Sequence, residues 1–291
     1  MTDNQSSKTA EAAAAIRALH YLYEEQHIIS DPFARHLTNW KWQTILSNRI
    51  FPYLLKTTIM KPIYSAVGGQ ILSRARYAED KLEQAIAKGI RQYVILGAGM
   101  DSYSLRHPQP KGQLTVFEID HPVTQGTKRK KLLKLTDKLP EHLVLVPVDF
   151  EKQTVSDALK ETSFRPGEPA FYSWIATTYY LTRASIYRTL SSIAEFSANG
   201  SEIVFDYSIA DSCLTPEGKS ESAITKTFVA RRGEVYVSNF DHDEIKVEVG
   251  KLGYELLEQA TPDLLQKLYF SNRDDKLRAA LWAALVHFRV K

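Results

Sequence analysis

The residues best placed to do chemistry are Gly97-Ala98-Gly99, at the end of the run YVILGAG, and the acids that follow at Glu118, Asp120 and Asp149. A buried strand running into two closely spaced glycines lets the backbone approach a ligand and leaves the amides of the next turn free to bind it. The same glycines would serve a strand-to-helix turn that needs only positive φ. VFEID places Glu118 and Asp120 about 20 positions beyond Gly99, where a carboxylate at the end of a second strand accepts from a ribose diol. Both point to one side of the strand. Asp120 is nearer the carboxyl edge and takes precedence for that role, although it also suits a cap for a helix starting at His121-Pro122. LVPVDF ends a third strand with Asp149 and Phe150: a carboxylate for an adenine amino group and an aromatic ring to cover the base. A helix cap beside a core phenylalanine would use the same pair. A pyrophosphate-binding fingerprint carries its third glycine at position 102, which here is Ser102. The pattern therefore describes a ligand with an adenosine and no pyrophosphate, and S-adenosylmethionine is the common molecule of that kind.

These residues need strands to carry them. From Gln92 onward, short apolar runs alternate with helical stretches, the signature of a parallel sheet covered on both faces. The expected strands are 92–96, 114–119, 143–147, 169–175, 201–206, 254–259 and 281–290, seven in all. Helices are expected at 121–135, 154–161, 183–198 and 242–251. The first ninety residues read as all-helical: Ile16, Leu19, His20 and Tyr23 share a face, Asp31-Pro32 opens a second helix, and Leu72 to Lys88 ends at Gly89 as a left-handed cap. The expected division is a helical N-terminal segment over 1–90 and a core over 91–291. The polar stretch 208–240, with Pro216, Gly218 and Gly233, interrupts the alternation and reads as a lid or substrate loop.

The chain has 291 residues, 44% of them hydrophobic and 24% charged, enough apolar material for a substantial core. Its single cysteine, Cys213, rules out an internal disulfide and a thiolate metal centre. A net charge of +3 declares no nucleic-acid or membrane partner. The basic run KRKKLLKLTDK at 128–138 lacks interleaved aromatics and reads as a solvated helix face burying Leu132, Leu133 and Leu135. The N-terminus lacks a signal-peptide pattern, and the best apolar run, Ala279 to Val286, is far shorter than the ~20 residues of a bilayer span. A cytoplasmic, soluble protein is expected.

RARYAEDKLEQAIAKGIRQYVILGAGMDSYSLR (74–106), VFEIDHPVTQGTKRKKL (116–132), LVPVDFEKQ (145–153), FYSWIATTYYLTR (171–183) and SEIVFDYS (201–208) together resemble the leucine carboxyl methyltransferase family, and most closely its bacterial branch of S-adenosylmethionine-dependent O-methyltransferases. The resemblance implies a class I methyltransferase fold, an α/β Rossmann-like sheet of seven mostly parallel strands with the last antiparallel, preceded by a helical cap. It also implies that an arginine before the first strand binds the methionine carboxylate, here Arg74 with Arg76 beside it. Gly97 matches the glycine under the cofactor, Asp120 the ribose ligand, and Asp149 with Phe150 the adenine pair. Arg76 also fits a solvated helix face against Glu79 and Asp80. The eukaryotic branch tends to carry an acid near the cofactor where this chain has Ile175, so its phosphatase substrate is not carried over.

Methyl transfer from a sulfonium is an in-line displacement, in which alignment supplies on the order of 7–11 kcal/mol. A carboxylate acceptor is already ionised at neutral pH and needs no base. A hydroxyl acceptor needs one, and His107, His121 and Asp206 are placed for it. Tyr179, Tyr180 and Tyr207 are the expected acceptor contacts, with Arg183 for an acceptor carboxylate. A nicotinamide-dependent oxidoreductase, disfavoured by Ser102, and a non-catalytic cofactor-binding scaffold are the alternatives.

Overall fold

The protein is described by a computed structural model covering residues 8–48, 50, 54, 64–108, 113–149, 153–230 and 234–291. Helices α1 (Lys8–Tyr23), α2 (Ala34–Leu37), α3 (Trp40–Ser47) and α4 (Gly69–Ala87) precede β1 (Gln92–Leu96). Then follow α5 (Tyr103–Arg106), β2 (Thr115–Asp120), α6 (Pro122–Leu135), β3 (Leu143–Pro147), α7 (Val155–Lys160), β4 (Ala170–Trp174), α8 (Arg183–Phe196) and β5 (Glu202–Ser208). The chain closes with α9 (Pro216–Ala230), α10 (His242–Lys251), β6 (Tyr254–Ala260), α11 (Pro262–Leu265) and β7 (Ala283–Val290).

The strands form one seven-stranded sheet in the order β3-β2-β1-β4-β5-β7-β6. Pairings from β3 through β5 are parallel, and β7 runs antiparallel to both β5 and β6. The five residues of β1 are all buried, because a parallel sheet is covered on both faces. Alternation then sorts the side chains. Tyr93, Ile95, Phe171, Val204 and Leu285 pack with Leu72 and Leu82 of α4 and with α1. Val94, Leu96, Phe117, Tyr172 and Phe205 pack on the other face with Val155, Ile186, Leu190 and Ile245 from α7, α8 and α10. At the end of α4, Gly89 takes φ +104° and the Ile90 amide reaches the Ala85 carbonyl, the Schellman closure that a glycine there permits.

The expected strands match in number and order, with ends displaced by one to a few residues. The stretch 208–240 differs: it contains α9, and its two ends lie side by side. The Ala210 amide donates to the Phe240 carbonyl at 2.9 Å, and the Phe240 amide to the Ser208 carbonyl at 2.9 Å. Leu133 is 40% exposed, so α6 buries Leu132 without it. Lys128, expected on a solvated face, is instead buried against Glu118.

The N-terminal helices are joined to the sheet edge through Asp31, which is fully buried. Its carboxylate caps the chain entering α2 by accepting from the amides of Phe33 and Ala34. It also accepts from Arg17 Nε at 2.8 Å and Ser102 Oγ at 2.6 Å. Arg17 Nη2 donates to the Met100 carbonyl at 2.6 Å, and Arg106 Nε to Ser102 Oγ at 3.0 Å. Ser102, in place of a fingerprint glycine, thus carries a hydroxyl that locks α1 and α2 onto the loop after β1.

Breaking a buried pair by removing one partner strands the other charge and costs about 3–5 kcal/mol. Asp31→Ala is expected to lose that much in urea denaturation at unchanged slope, and a loss under about 1 kcal/mol would show that the lock does not carry the N-terminal helices. Next to it, burial pushes the Glu79 carboxyl up, but hydrogen bonds from Arg106 and His107 outweigh burial and hold it at about 2. A depressed carboxyl stabilises fully above its unfolded value near 4.3 and progressively less as pH falls toward 2. Wild-type stability should therefore drop between about pH 5 and pH 2, and Glu79→Gln should flatten that slope in pH-resolved thermal melts.

Candidate functional site

In this strand order, β1 neighbours both β2 and β4, so the chain leaves the sheet in opposite directions from adjacent strands. Ligands of open α/β sheets bind in the crevice that such a reversal leaves at the carboxyl edge. Gly97 and Gly99 sit there with φ +68° and +51°, the left-handed conformation that glycine takes without penalty. A Cβ on Gly97 would stand 2.5 Å from Thr177 Oγ1, and one on Gly99 would stand 2.9 Å from the Cβ of Ala10. The glycines therefore admit the turn after β4 on one side and the start of α1 on the other.

The amides of the glycine run itself are engaged within the protein. Those of Gly97 and Ala98 donate to the Ile119 carbonyl at 2.9 and 3.1 Å, and that of Gly99 donates to Asp120 Oδ2 at 2.5 Å. Asp120 Oδ1 accepts from the His121 amide at 2.6 Å. Two of the roughly four lone-pair positions of its carboxylate are thus used, leaving capacity for hydroxyl donors. Burial pushes the Asp120 carboxyl up, against the pull of these two amides.

Glu118 does not share this position. It is 1% exposed, ion-paired with Lys128 and 3.4 Å from Ser104 Oγ, so its carboxylate is engaged inside the protein rather than at the open edge. Asp149 follows β3 at the same edge, half-buried, its carbonyl accepting from the Gln153 amide. Phe150 lies outside the described residues. Arg74 is buried on α4, with Nη1 3.4 Å from Asp206 Oδ2. Arg76 turns outward to Asp80 at 2.6 Å, i to i+4 on the helix surface, with its side chain 45% exposed. Its position matches the solvated-face alternative, and the structure does not bring it together with Arg74 and Asp206.

Past β4, Tyr179 is buried, donates its phenol to Asp206 Oδ2 and accepts from Gln70 Nε2 at 2.9 Å. Its ring meets Tyr236 and Trp282 at 5.0 and 5.5 Å, and Tyr180 meets Tyr236 edge-on at 5.2 Å. Gln70, Ser73, Arg74, Tyr179 and Asp206 line a cavity of about 10 Å³, close to the room one water needs. Tyr207 is not part of this group. Its neighbour Asp206 faces α4, so Tyr207 faces the opposite layer, where it is bonded to His242 Nδ1 at 2.6 Å and to Gln259 at 2.9 Å. Arg183 is likewise engaged elsewhere, with Glu244, the Asn239 carbonyl and the ring of Phe240. The structure therefore does not bring either residue together with the Arg74–Asp206 group. His107 pairs with Glu79 and stacks on Tyr103, and His121 caps α6.

Gln70, Ala176, Thr177 and Tyr236 are in the group without having been singled out by sequence. Only Gln70 left a signal, as a polar residue one helical turn before Arg74 on the same helix face as Ser73. The leucine carboxyl methyltransferase profile matches residues 10–194, which take in α4, the glycine loop, Asp120 and the turn after β4. The chain belongs to the leucine carboxyl methyltransferase family. It is 34% identical to YktD of Bacillus subtilis, named for S-adenosyl-L-methionine-dependent methyl transfer, over 96% of each chain. Its fold is similar to that of a protein from Thermobifida fusca named as a methyltransferase (TM-score 0.55, 14% identity, 96% of this chain and 94% of that one). It is also similar to a DUF574 family protein from Streptomyces avermitilis (TM-score 0.56, 14% identity, 99% of both). The N-terminal helices fall within the family match as much as β1 to β4 do, so the lock at Asp31 belongs to the region that defines the family.

The contact between Gly97 and Thr177 is open to test. Gly97→Ala combines a left-handed φ with a close contact and should cost about 2–4 kcal/mol. Adding Thr177→Ala should recover the steric part and leave about 1 kcal/mol for the backbone, read as non-additivity in a double-mutant cycle. Strict additivity would show that the two residues do not touch.

Proposed function

We propose that this chain transfers a methyl group from S-adenosylmethionine to an oxygen of a small molecule or peptide, with a carboxylate as the favoured acceptor. That the chain is a methyltransferase using S-adenosylmethionine follows from family membership and from its match to the Bacillus relative over nearly all of both chains. In this reading Gly97, Ala98 and Gly99 floor the donor site, Asp120 takes the ribose hydroxyls, Asp149 with Phe150 takes the adenine, and Arg74 takes the methionine carboxylate. The segment before β1 and the insertion 208–240 close over the acceptor.

The observation that carries the reading is Arg74. Among the described residues its guanidinium, with five donors, has one hydrogen-bond partner, Asp206, at 3.4 Å. A good charge-assisted bond is about 2.7–2.9 Å. A buried, underused guanidinium at a carboxyl edge suits a second carboxylate, and the spare lone pairs of Asp120 suit a diol. Residue 102 argues against a dinucleotide, because its hydroxyl is built into the lock with Asp31.

When bound, S-adenosylmethionine supplies an electrophilic methyl on a sulfonium. The protein has to hold the acceptor oxygen in line and keep water out. A hydroxyl acceptor also needs a base, and each sequence candidate is engaged: Asp206 by Arg74, Tyr179 and Ala176, His107 by Glu79, and His121 as a cap. A carboxylate acceptor needs none, which is why it is favoured.

The test is turnover of S-adenosylmethionine with a panel of acids, phenols and alcohols, followed by mild alkali on the methylated product. A methyl ester releases methanol and a methyl ether does not. Ester formation is expected; an alkali-stable product would turn the reading to a hydroxyl acceptor. Asp120→Ala should lower affinity for S-adenosylhomocysteine by at least about tenfold in calorimetry, the worth of one lost hydrogen-bonded acceptor. NAD should give no heat.

A further inference from the structure

We infer that Asp206 is a positioning residue of the donor site: one buried carboxylate sets both the guanidinium of Arg74 and the turn that lies on the glycine loop. The inference rests on the reading that Arg74 receives the donor's carboxylate, and it assigns to Asp206 a role other than that of a base.

Asp206 is 1% exposed in β5, on the face covered by α4. Its Oδ2 takes the Tyr179 phenol and Arg74 Nη1, and its Oδ1 takes the Ala176 amide at 2.8 Å. Its carbonyl takes the Thr178 hydroxyl. The side chain therefore gathers donors from two segments that are remote in sequence, the helix before β1 and the turn after β4. Gln70, one helical turn before Arg74, donates to the same Tyr179 hydroxyl and closes the ring Gln70, Tyr179, Asp206, Arg74.

The turn that Asp206 holds is strained. Ala176 has φ +65°, a left-handed conformation that is strained for a non-glycine residue and persists only where its surroundings impose it. A hydrogen bond from its amide to a buried charge is of the size that offsets such strain. Thr177, between Ala176 and Thr178, is the residue seated against Gly97. Asp206 thus fixes the seat of the glycine loop through Ala176 and the direction of Arg74 through Oδ2. Burial pushes the Asp206 carboxyl up against these donors, so its positioning role rests on the contacts its oxygens already make.

Two ligands separate the two ends of the donor. S-Adenosylhomocysteine carries the amino-acid carboxylate, and 5′-methylthioadenosine has the same nucleoside without it. The ratio of their affinities in calorimetry reads the Arg74 end alone, while a general loss of structure lowers both together. Asp206→Asn keeps an acceptor for the Ala176 amide and removes the charge. It should cut S-adenosylhomocysteine binding about tenfold and 5′-methylthioadenosine binding by less than about threefold. Combined with Arg74→Ala, it should lower the ratio no further than Arg74→Ala does alone. Equal losses on both ligands, or an unchanged ratio, would overturn the inference. An unchanged ratio in Arg74→Ala would instead overturn the donor-site reading beneath it. Should Asp206→Asn not fold by thermal melt, Tyr179→Phe takes its place, since it removes the hydroxyl that braces Oδ2 and accepts from Gln70 while leaving the carboxylate charge. It should lower the same ratio about two- to fivefold, and no change there would overturn the inference.

Discussion

The carboxyl edge of a parallel sheet ends in irregular backbone that is covered by other elements, and its amides have to be satisfied without the sheet. Here carboxylates do this. Asp120 takes the amides of Gly99 and His121, Asp206 that of Ala176, and Asp31 those of Phe33 and Ala34. Each also binds, or is bound through, a group from a distant segment: Arg74 and Tyr179 at Asp206, Arg17 and Ser102 at Asp31. The edge is consequently a set of loops clamped by anions at the point where β1 and β4 diverge, and a ligand there meets a surface already shaped.

Such clamps are costly. Each buried anion loses hydration, and removing its cation leaves the remainder worse off than an apolar pair would be. What they contribute is a single geometry. An apolar turn at 175–180 would have several ways to pack on Gly97. A turn whose amide, phenol and hydroxyl all end on Asp206 has far fewer. The Glu118–Lys128 pair does the same one layer deeper, tying α6 to β2 directly below Asp120.

The architecture was legible because it rests on burial. Runs such as QYVIL and VFEID can only be strands covered on both faces, and their order along the chain leaves little freedom in topology. The distinction between Arg74 and Arg76 was also legible in part, since Asp80 stands four residues after Arg76 and gives it a surface partner. That Tyr207 and Asp206 face opposite layers was also readable in the sequence, because adjacent strand residues alternate between the two faces. Helix α9 was missed because PEGKSESAITKTFVA is too polar to show an apolar face, and its place depends on the pairing of the insertion's ends at Ser208, Ala210 and Phe240. The burial of Lys128 had no signal at all, because a basic residue in a basic run looks solvated until its partner on another element is known.

The same turn that carries the donor-side contacts is also the one the insertion lies on. The amide of Val237 donates to the Tyr179 carbonyl at 2.7 Å, Ser238 Oγ to that of Thr178 at 2.9 Å, and Tyr236 packs on both tyrosines. From the other side, Thr9 at the start of α1 donates to Glu234 Oε2 at 2.6 Å, so the two covering segments touch above the edge. In the reading proposed above, a change in the insertion that suits a new acceptor would be transmitted to Tyr179, and through Asp206 to Arg74. On that reading, acceptor choice and donor affinity would be coupled. Selection on one would be constrained by the other, and compensating changes belong in residues 175–180, where the two meet.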